Sequence, residues 1–224
     1  MNIPDWSIRP YQPGDRQAIR DICFSTGFMG ASADFYWRDA ESFCDIWTSY
    51  YTDHEPESTY VVVHLGEVVG YLLGCVDTSK APGADTLVMQ QMKKRLLLFR
   101  PGTAGFFWRA MWDMLRDRKI TPGELHDTRW PSHLHIDLLP GIRRQGAGKA
   151  LIQAWYERLI SVGSPGCHLS TLGENGRGIA FFESVGFRRY GPPSLIPGMR
   201  MPDGKRLHQQ VMVREMNHVR GHLC

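Results

Sequence analysis

The sequence lacks the cysteine spacing of a metal site or a disulfide framework. It has an odd number of cysteines, and no two stand in a C-x-x-C arrangement: Cys23, Cys44, Cys75, Cys167 and Cys224. Disulfide scaffolds use cysteines in even numbers, and zinc sites use closely spaced ones. We therefore expect reduced thiols and no metal ion.

The sequence also lacks a long apolar run and a dense run of basic residues. No stretch approaches the ~20 apolar residues of a membrane span, and the N-terminal MNIPDWSIRPY carries an acid and no apolar core, unlike a signal peptide. A net charge of +3 is weak support for a polyanionic partner. The sequence thus predicts a cytoplasmic protein without a membrane or nucleic-acid partner. Salt-dependent binding of DNA or RNA would contradict this.

What is present fits one globular domain with an insertion. The 224 residues are 42% hydrophobic and 22% charged, enough for one well-buried domain over 1–224. Residues 79–131 contain two helical patterns, TLVMQQMKKRLLLF and FFWRAMWDMLRD, and no regular strand signal. We interpret 79–131 as a helical insertion between the third and fourth strands.

Strand and helix signals follow one another around this insertion. The N-terminal part predicts a strand over 6–11, a helix that Asp15 caps, an aromatic helix over 32–52, and a hairpin over 58–76. The aromatic helix either packs on the sheet or forms a wall of an acceptor pocket. The later part predicts strands over 133–139, 166–172, from 187 and over 207–215, with helices over 146–160 and 176–184. This order predicts an α/β fold with a mixed, partly antiparallel sheet of about six to seven strands flanked by helices.

The turn between the strand over 133–139 and the next helix is the most informative stretch. It reads Pro140-Gly-Ile-Arg143-Arg144-Gln-Gly146-Ala-Gly148. A glycine-bearing turn at a helix start leaves backbone N–H groups unpaired, and the helix dipole adds positive charge there. The two arginines add charged donors. The turn therefore predicts a phosphate or pyrophosphate site.

Two common nucleotide-binding motifs do not fit this turn. A dinucleotide-binding G-x-G-x-x-G needs a glycine three residues after Gly148, and there is none. A P-loop needs Ser or Thr after its lysine, whereas Ala150 follows Lys149.

The spacing Pro140-x-x-Arg143-x-x-Gly146-x-Gly148 resembles the Q/R-x-x-G-x-G/A signature of the GCN5-related N-acetyltransferase (GNAT) superfamily. The segment NGRGIAFFESVGF, which follows the next strand, resembles the family's N-x-x-A-x-x-F-Y-E-x-x-G-F block, and IRPYQPGD is similar to its first strand and turn. The resemblance covers most of the chain except about 79–131. HLHID with its preceding insertion is similar, more narrowly, to bacterial relatives of the acetyltransferase-like domain of O-GlcNAc hydrolases.

The resemblance implies a GNAT-type fold that binds acetyl-CoA, or another acyl-CoA, and transfers its acetyl group to a primary amine. Arg143 takes the place of the family's motif residue, and the backbone at Leu138 and Leu139 is expected to pair with the pantetheine arm. Asn175 and Phe182 are expected on the other side of the cofactor. The pyrophosphate is expected on the turn amides, from Arg144, Gln145, Gly146, Ala147, Gly148 and Lys149.

Three alternating polar residues are candidates for the chemistry. His133, His135 and Asp137 share one face of a strand, and an imidazole beside a carboxylate suits a general base or a proton relay. The alternative is that the histidines are partly buried, hydrogen-bonded residues and that Asp137 is a structural carboxylate that holds the turn or pairs with a histidine. Arylalkylamine N-acetyltransferases carry an HLH on the equivalent strand, but here it is offset by one residue from the Arg143 anchor. Such an offset reverses the face unless a bulge intervenes.

Phe182 departs from the family pattern, since many members have there a tyrosine that can protonate the leaving thiolate. The alternative function is therefore an acyl-CoA-binding module with weak or no turnover.

The insertion is interpreted as a structural cover or dimer surface, and otherwise as a lid over the acceptor. The acceptor is a small-molecule or peptide amine of unspecified identity, and the resemblance is compatible with a homodimer.

Overall fold

A seven-stranded sheet forms the centre of the computed structural model, which describes residues 5–117 and 123–216. Cys224 lies outside the described residues. The spatial order of the strands is β1-β2-β3-β4-β5-β7-β6; five of the six neighbouring pairs are antiparallel, and the β4–β5 pair is parallel. The strands are β1 (Trp6–Pro10), β2 (Thr59–His64), β3 (Glu67–Cys75), β4 (Ser132–Leu138), β5 (Gly166–Leu172), β6 (Arg188–Arg200) and β7 (Arg206–Glu215). The predicted mixed sheet is confirmed.

Helices cover both faces of the sheet. They are α1 (Arg16–Thr26), α2 (Ala40–Trp47), α3 (Ser49–His54), α4 (Ala84–Lys94), α5 (Ala104–Asp117), α6 (Ala147–Ser161) and α7 (Gly176–Ser184). Within the described ranges, none of these helices combines the length and apolarity required to span a bilayer.

Successive strand residues supply two separate cores, because side chains alternate between the faces of a sheet. Val61 and Leu73 pack with α1, α2 and α3, whereas Val62 and Leu72 pack with α6 and α7. Trp155 of α6 is fully buried and lies directly over the β3 backbone at Gly74, where a Cβ would come within 2.3 Å of its ring. Any larger residue at that position would displace the helix that follows the candidate cofactor turn.

The helical insertion between the third and fourth strands is confirmed, and α5 packs mainly on β6. Phe107 is buried, and the buried Asp113 accepts hydrogen bonds from the Gly198 N–H (2.9 Å) and from Arg200 (2.6 Å). Gly198 permits this close approach, since a Cβ there would lie 2.8 Å from Ala110. Helix α5 thus covers β6, the strand at one edge of the sheet.

Two local predictions were wrong. Residues 32–52 do not form one helix, because the Asp39 carboxylate caps α2 by accepting the Ser42 N–H (2.9 Å) and Thr48 separates α2 from α3. Asp15 does not cap α1 with its side chain. Its carboxylate instead accepts the Gln12 N–H (2.8 Å) of the preceding turn and forms an ion pair with Arg9.

Candidate active site

Strands β4 and β5 separate soon after they begin. They pair only at Ser132 with Cys167 and at His133 with His168. Strand β4 stays paired with β3 on its other side as far as Leu138. The result is a gap in the sheet that is bordered by the last five residues of β4.

Backbone groups of β4 face this gap. The Leu139 N–H donates to the Val69 carbonyl (2.9 Å) and is therefore turned toward β3. Because antiparallel pairing alternates along a strand, the backbone groups of Ile136 and Leu138 point the other way, into the gap. An extended ligand can pair with β4 there as an added strand, although the Leu138 carbonyl already accepts Arg143 Nε (2.9 Å).

The glycine turn lies at the same end of β4 and presents free amides. Arg144 (φ 64°) and Gly146 (φ 91°) are left-handed, and α6 begins directly after them. The Ala150 N–H is the first to bond within the helix, to the Gly146 carbonyl (3.1 Å). The preceding first-turn amides have no acceptor within the helix and carry its positive dipole end: Ala147, Gly148 and Lys149.

The two arginines of the turn have different environments. The Arg143 guanidinium is turned inward, where it donates to the carbonyls of Leu138 (2.9 Å) and Gly30 (3.0 Å). Gln145 donates to the Gly141 carbonyl (2.7 Å) and closes the turn. Arg144 is exposed. Arg143 therefore holds the turn, and Arg144 is the arginine free to meet an anion.

Substituting Arg144 by glutamine is expected to weaken CoA binding about fivefold to tenfold, since a surface phosphate contact is worth on the order of 1 kcal/mol. It should also flatten the salt dependence of the dissociation constant. Calorimetric titration with CoA at low and high salt measures both effects. Arg109→Gln, at an exposed position on α5, is the control. Equal losses in the two variants would contradict the assignment of Arg144.

The two expected cofactor residues beyond the gap have structural contacts. Asn175 caps α7 by accepting the Gly178 N–H with its side-chain oxygen (3.0 Å). Phe182 is buried, and its ring packs against Phe181 (5.3 Å between centroids) and Phe187 (5.9 Å). Any contact of either residue with a cofactor remains a prediction.

The tyrosines closest in sequence to these elements have hydroxyls engaged elsewhere. The Tyr156 hydroxyl donates to the Val185 carbonyl (2.8 Å), and the Tyr190 hydroxyl accepts from Arg129 (3.2 Å). The Tyr156 O–H is therefore used within the protein and does not replace the hydroxyl that Phe182 lacks.

His133 is a buried, fully hydrogen-bonded residue. Its Nε2 lies 2.8 Å from the Tyr51 hydroxyl, and its Nδ1 lies 2.7 Å from Thr78 Oγ1. Burial lowers the pKa of His133 well below its usual value. Both ring nitrogens have partners, which matches the structural interpretation of this histidine.

His135 is more accessible and has aromatic neighbours. Its ring lies against Trp47 (5.8 Å between centroids) and Tyr51 (5.4 Å). Burial lowers the pKa of His135 to about 4, so the imidazole is neutral at physiological pH and has a free lone pair. The β3–β4 register runs without a shift, and His133, His135 and Asp137 face α1–α3 together.

The carboxyl group of Asp137 has a strongly shifted pKa. It accepts a hydrogen bond from the buried Tyr71 hydroxyl (2.7 Å). Burial raises the pKa of Asp137 to about 7, and the hydrogen bond from Tyr71, the nearby Thr26 hydroxyl and the charge of Arg143 only partly oppose it. A carboxyl that titrates near neutrality, beside a neutral imidazole, is suited to proton transfer.

A pocket lies next to these residues on the same face. Its walls are Ile46, Trp47, Tyr50, Tyr51, Ala81, Pro82, Ala84, Leu87, Glu124, His133 and His135. The predicted packing of the aromatic segment on the sheet is confirmed at Phe43, which lies in the core. Trp47 lines the pocket, and a role of this pocket in acceptor binding stays a prediction. Sequence reasoning missed Glu124. It lies in the insertion without a motif, and only the fold brings it beside β4.

Comparisons with known proteins support this architecture. No family model matches the chain. Among solved structures, SsHAT superposes with a TM-score of 0.65 at 25% identity, over 96% of this chain and 100% of that one. The putative acetyltransferase yncA from Salmonella typhimurium, solved with its cofactor acetyl-CoA, gives 0.58 at 14% identity over 99% and 100%. A putative phosphinothricin N-acetyltransferase gives 0.55 at 18% identity over 95% and 99%.

The parallel β4–β5 pair that opens into a gap, the amide-bearing turn at the start of α6, and the likeness over nearly the whole chain to solved acetyltransferases lead to one assignment. The chain has the fold of the GCN5-related N-acetyltransferase superfamily.

Proposed function

We propose that the protein transfers an acetyl group from acetyl-CoA to a primary amine. The observation that carries this proposal is the juxtaposition of three features at one end of β4. They are the gap beside β4, the anion-binding turn at its end, and Asp137 with His135 on the face toward the aromatic pocket.

The donor site follows from the shape of the gap and the turn. The pyrophosphate of acetyl-CoA binds the first-turn amides of α6 and Arg144. The pantetheine arm pairs with the backbone of Ile136 and Leu138. This arrangement brings the thioester to the open side of β4, next to His135 and Asp137.

The chemistry requires one proton transfer before carbon–nitrogen bond formation. The ammonium form of the acceptor gives a proton to the Asp137 carboxylate, directly or through His135 and water. The free amine then attacks the thioester carbonyl, forms the C–N bond and breaks the C–S bond, and the second proton lost by the nitrogen passes to the leaving thiolate, directly or through water, so that a neutral amide and the CoA thiol result. The neutral imidazole of His135 can accept a hydrogen bond from the amine during this step.

Acetyl-CoA, incubated with the protein and a panel of primary amines, tests the proposal. The panel comprises butylamine, a lysine-containing peptide and an arylalkylamine. We expect release of the CoA thiol above the hydrolysis background and a mass gain of one acetyl group on at least one amine. Release that no amine increases would overturn the enzyme assignment.

The buried phenyl ring of Phe182 favours a second candidate, an acyl-CoA-binding module with little turnover. It supplies no hydroxyl to protonate a leaving thiolate. This candidate predicts micromolar or tighter binding of acetyl-CoA in calorimetry together with no amine-dependent release. Phe182→Tyr then distinguishes the two, because a gain in turnover identifies the missing proton donor as the limiting factor.

A further inference from the structure

Helix α5 has an apolar face that points away from the sheet. Phe107 and Asp113 are buried on its inner side, next to β6. Four exposed residues follow the i, i+3, i+4, i+7 spacing of one helix face: Trp108, Met111, Trp112 and Leu115. Trp112 is 67% exposed and Leu115 is 70% exposed. Helix α5 therefore has an apolar stripe that the described part of the chain leaves uncovered.

This stripe extends to the turn before the helix. Phe99 is 78% exposed and belongs to the turn Leu97–Phe99, which contacts α5, and the exposed Leu96 precedes that turn. We call Leu96, Phe99 and the four helix residues the apolar patch. Its three aromatic side chains alone expose roughly 300–500 Å², since such side chains carry about 150–250 Å² each. With the aliphatic residues, the patch reaches the size that marks a contact with a protein or a membrane.

The charge around the apolar patch is positive. Residues 89–117 contain six basic and two acidic residues, so their formal charge is +4, whereas the whole chain has +3. Both acids are used within the protein, because Asp113 pairs with Arg200 and Asp117 pairs with Arg206. Three basic residues of this segment are exposed and have no acidic partner in the described ranges: Lys93, Lys94 and Arg109.

An apolar surface with a basic border is complementary to an anionic lipid bilayer. Tryptophan, phenylalanine and leucine enter the boundary between head groups and acyl chains, and lysine and arginine attract anionic head groups. Tryptophan favours this boundary because its ring is apolar and its N–H stays near water. A second copy of the chain fits less well, since a two-fold contact places the same basic border against itself.

We propose that α5 and the turn before it bind the surface of anionic membranes. The helix lies in the plane of the interface, with Trp108 and Trp112 at the acyl boundary and Arg109 among the head groups. The sequence alone predicted no membrane partner because it has no run long enough to span a bilayer. An in-plane contact needs no such run, and it is independent of acetyl transfer.

Co-flotation of the protein with lipid vesicles tests the proposal. We expect a partition coefficient at least about tenfold higher for an equimolar mixture of phosphatidylcholine and phosphatidylserine than for phosphatidylcholine alone, and a decline at high salt. Replacing both Trp108 and Trp112 by alanine should lower partition into the mixed vesicles at least about tenfold. The matched control replaces two exposed apolar residues elsewhere, Leu65 in the β2–β3 turn and Ile160 on α6, by alanine and should change nothing.

A second variant keeps the test decisive if the double tryptophan variant folds poorly by circular dichroism. Leu115→Gln changes one exposed residue of the apolar patch and should lower partition severalfold. No binding to the mixed vesicles would overturn the proposal, as would binding that both tryptophan replacements leave unchanged. Sedimentation velocity without lipid completes the test. A dimer that the tryptophan replacements dissociate would assign the apolar patch to a second copy of the chain, and the membrane proposal would fail.

Discussion

Asp137→Asn is expected to lower kcat for acetyl transfer by ~10²- to 10⁴-fold, the usual contribution of a general base. It should also remove the acidic limb of the pH–rate profile. A base works in its ionised form, and the ionised fraction of Asp137 rises with pH through its pKa of about 7. Wild-type kcat should therefore increase through neutral pH and level off about one pH unit above this pKa, whereas the asparagine variant should show no such rise.

The measurement is kcat against pH under saturating acetyl-CoA and amine, with Tyr71→Phe as a companion variant. The Tyr71 hydroxyl donates to Asp137 Oδ2 and stabilises the carboxylate. Removing the hydroxyl raises the pKa of Asp137 further, so the limb should move to higher pH while the plateau changes little. An unchanged limb in Asp137→Asn would exclude Asp137 as the base.

The free energy of unfolding provides an independent check on the raised pKa of Asp137. Its folded-state pKa lies above that of an unfolded aspartate, so the folded protein binds this proton more tightly than the unfolded chain does. The associated stability is present at acidic pH and is lost as pH rises from about 4 to about 7. At pH 8, Asp137→Asn should therefore increase the free energy of unfolding by on the order of 2 kcal/mol. A purely structural carboxylate would give a loss instead.

The parts of the site that are local in sequence could be predicted, and those that depend on packing could not. Glycines at 146 and 148 after a strand already indicate an anion site, because the helix start and its free amides need no tertiary contact. The alternation of His133, His135 and Asp137 also places them on one face, as the structure shows. The pKa of Asp137 depends on burial under α1, which no local pattern reveals.

Arg143 and Glu124 show why the other roles in the site could be assigned only from the fold. Arg143 and Arg144 have the same charge and adjacent positions, yet Arg143 donates to the carbonyls of Leu138 and of Gly30, the latter 113 residues away in sequence, whereas Arg144 is exposed. Glu124 lies in a segment without periodicity, and only the fold brings it into the same pocket wall as Trp47. Sequence patterns identify what a residue can do, whereas the partners that decide between roles come from distant segments.

Gly146→Val is expected to weaken CoA binding by about tenfold to a hundredfold. Gly146 has φ 91° and immediately precedes α6, and a β-branched residue strongly disfavours that conformation, at a cost on the order of 1–3 kcal/mol. Space is not the obstacle, since a Cβ would meet Trp6 at an ordinary 3.6 Å. The valine therefore relieves its strain by moving the turn, which displaces the amides of Ala147 and Gly148 from the pyrophosphate.

Gly163→Val separates this local effect from a general loss of stability. Gly163 lies just beyond the other end of α6, is also left-handed (φ 70°), and has no atom within 4 Å of an added Cβ. Both substitutions strain the same helix, so urea midpoints should fall by similar amounts. Only Gly146→Val should raise the dissociation constant for CoA in calorimetry. Both variants lose stability, but only Gly146→Val moves the turn. Equal CoA affinity in the two variants would therefore show that the cofactor does not bind at the turn.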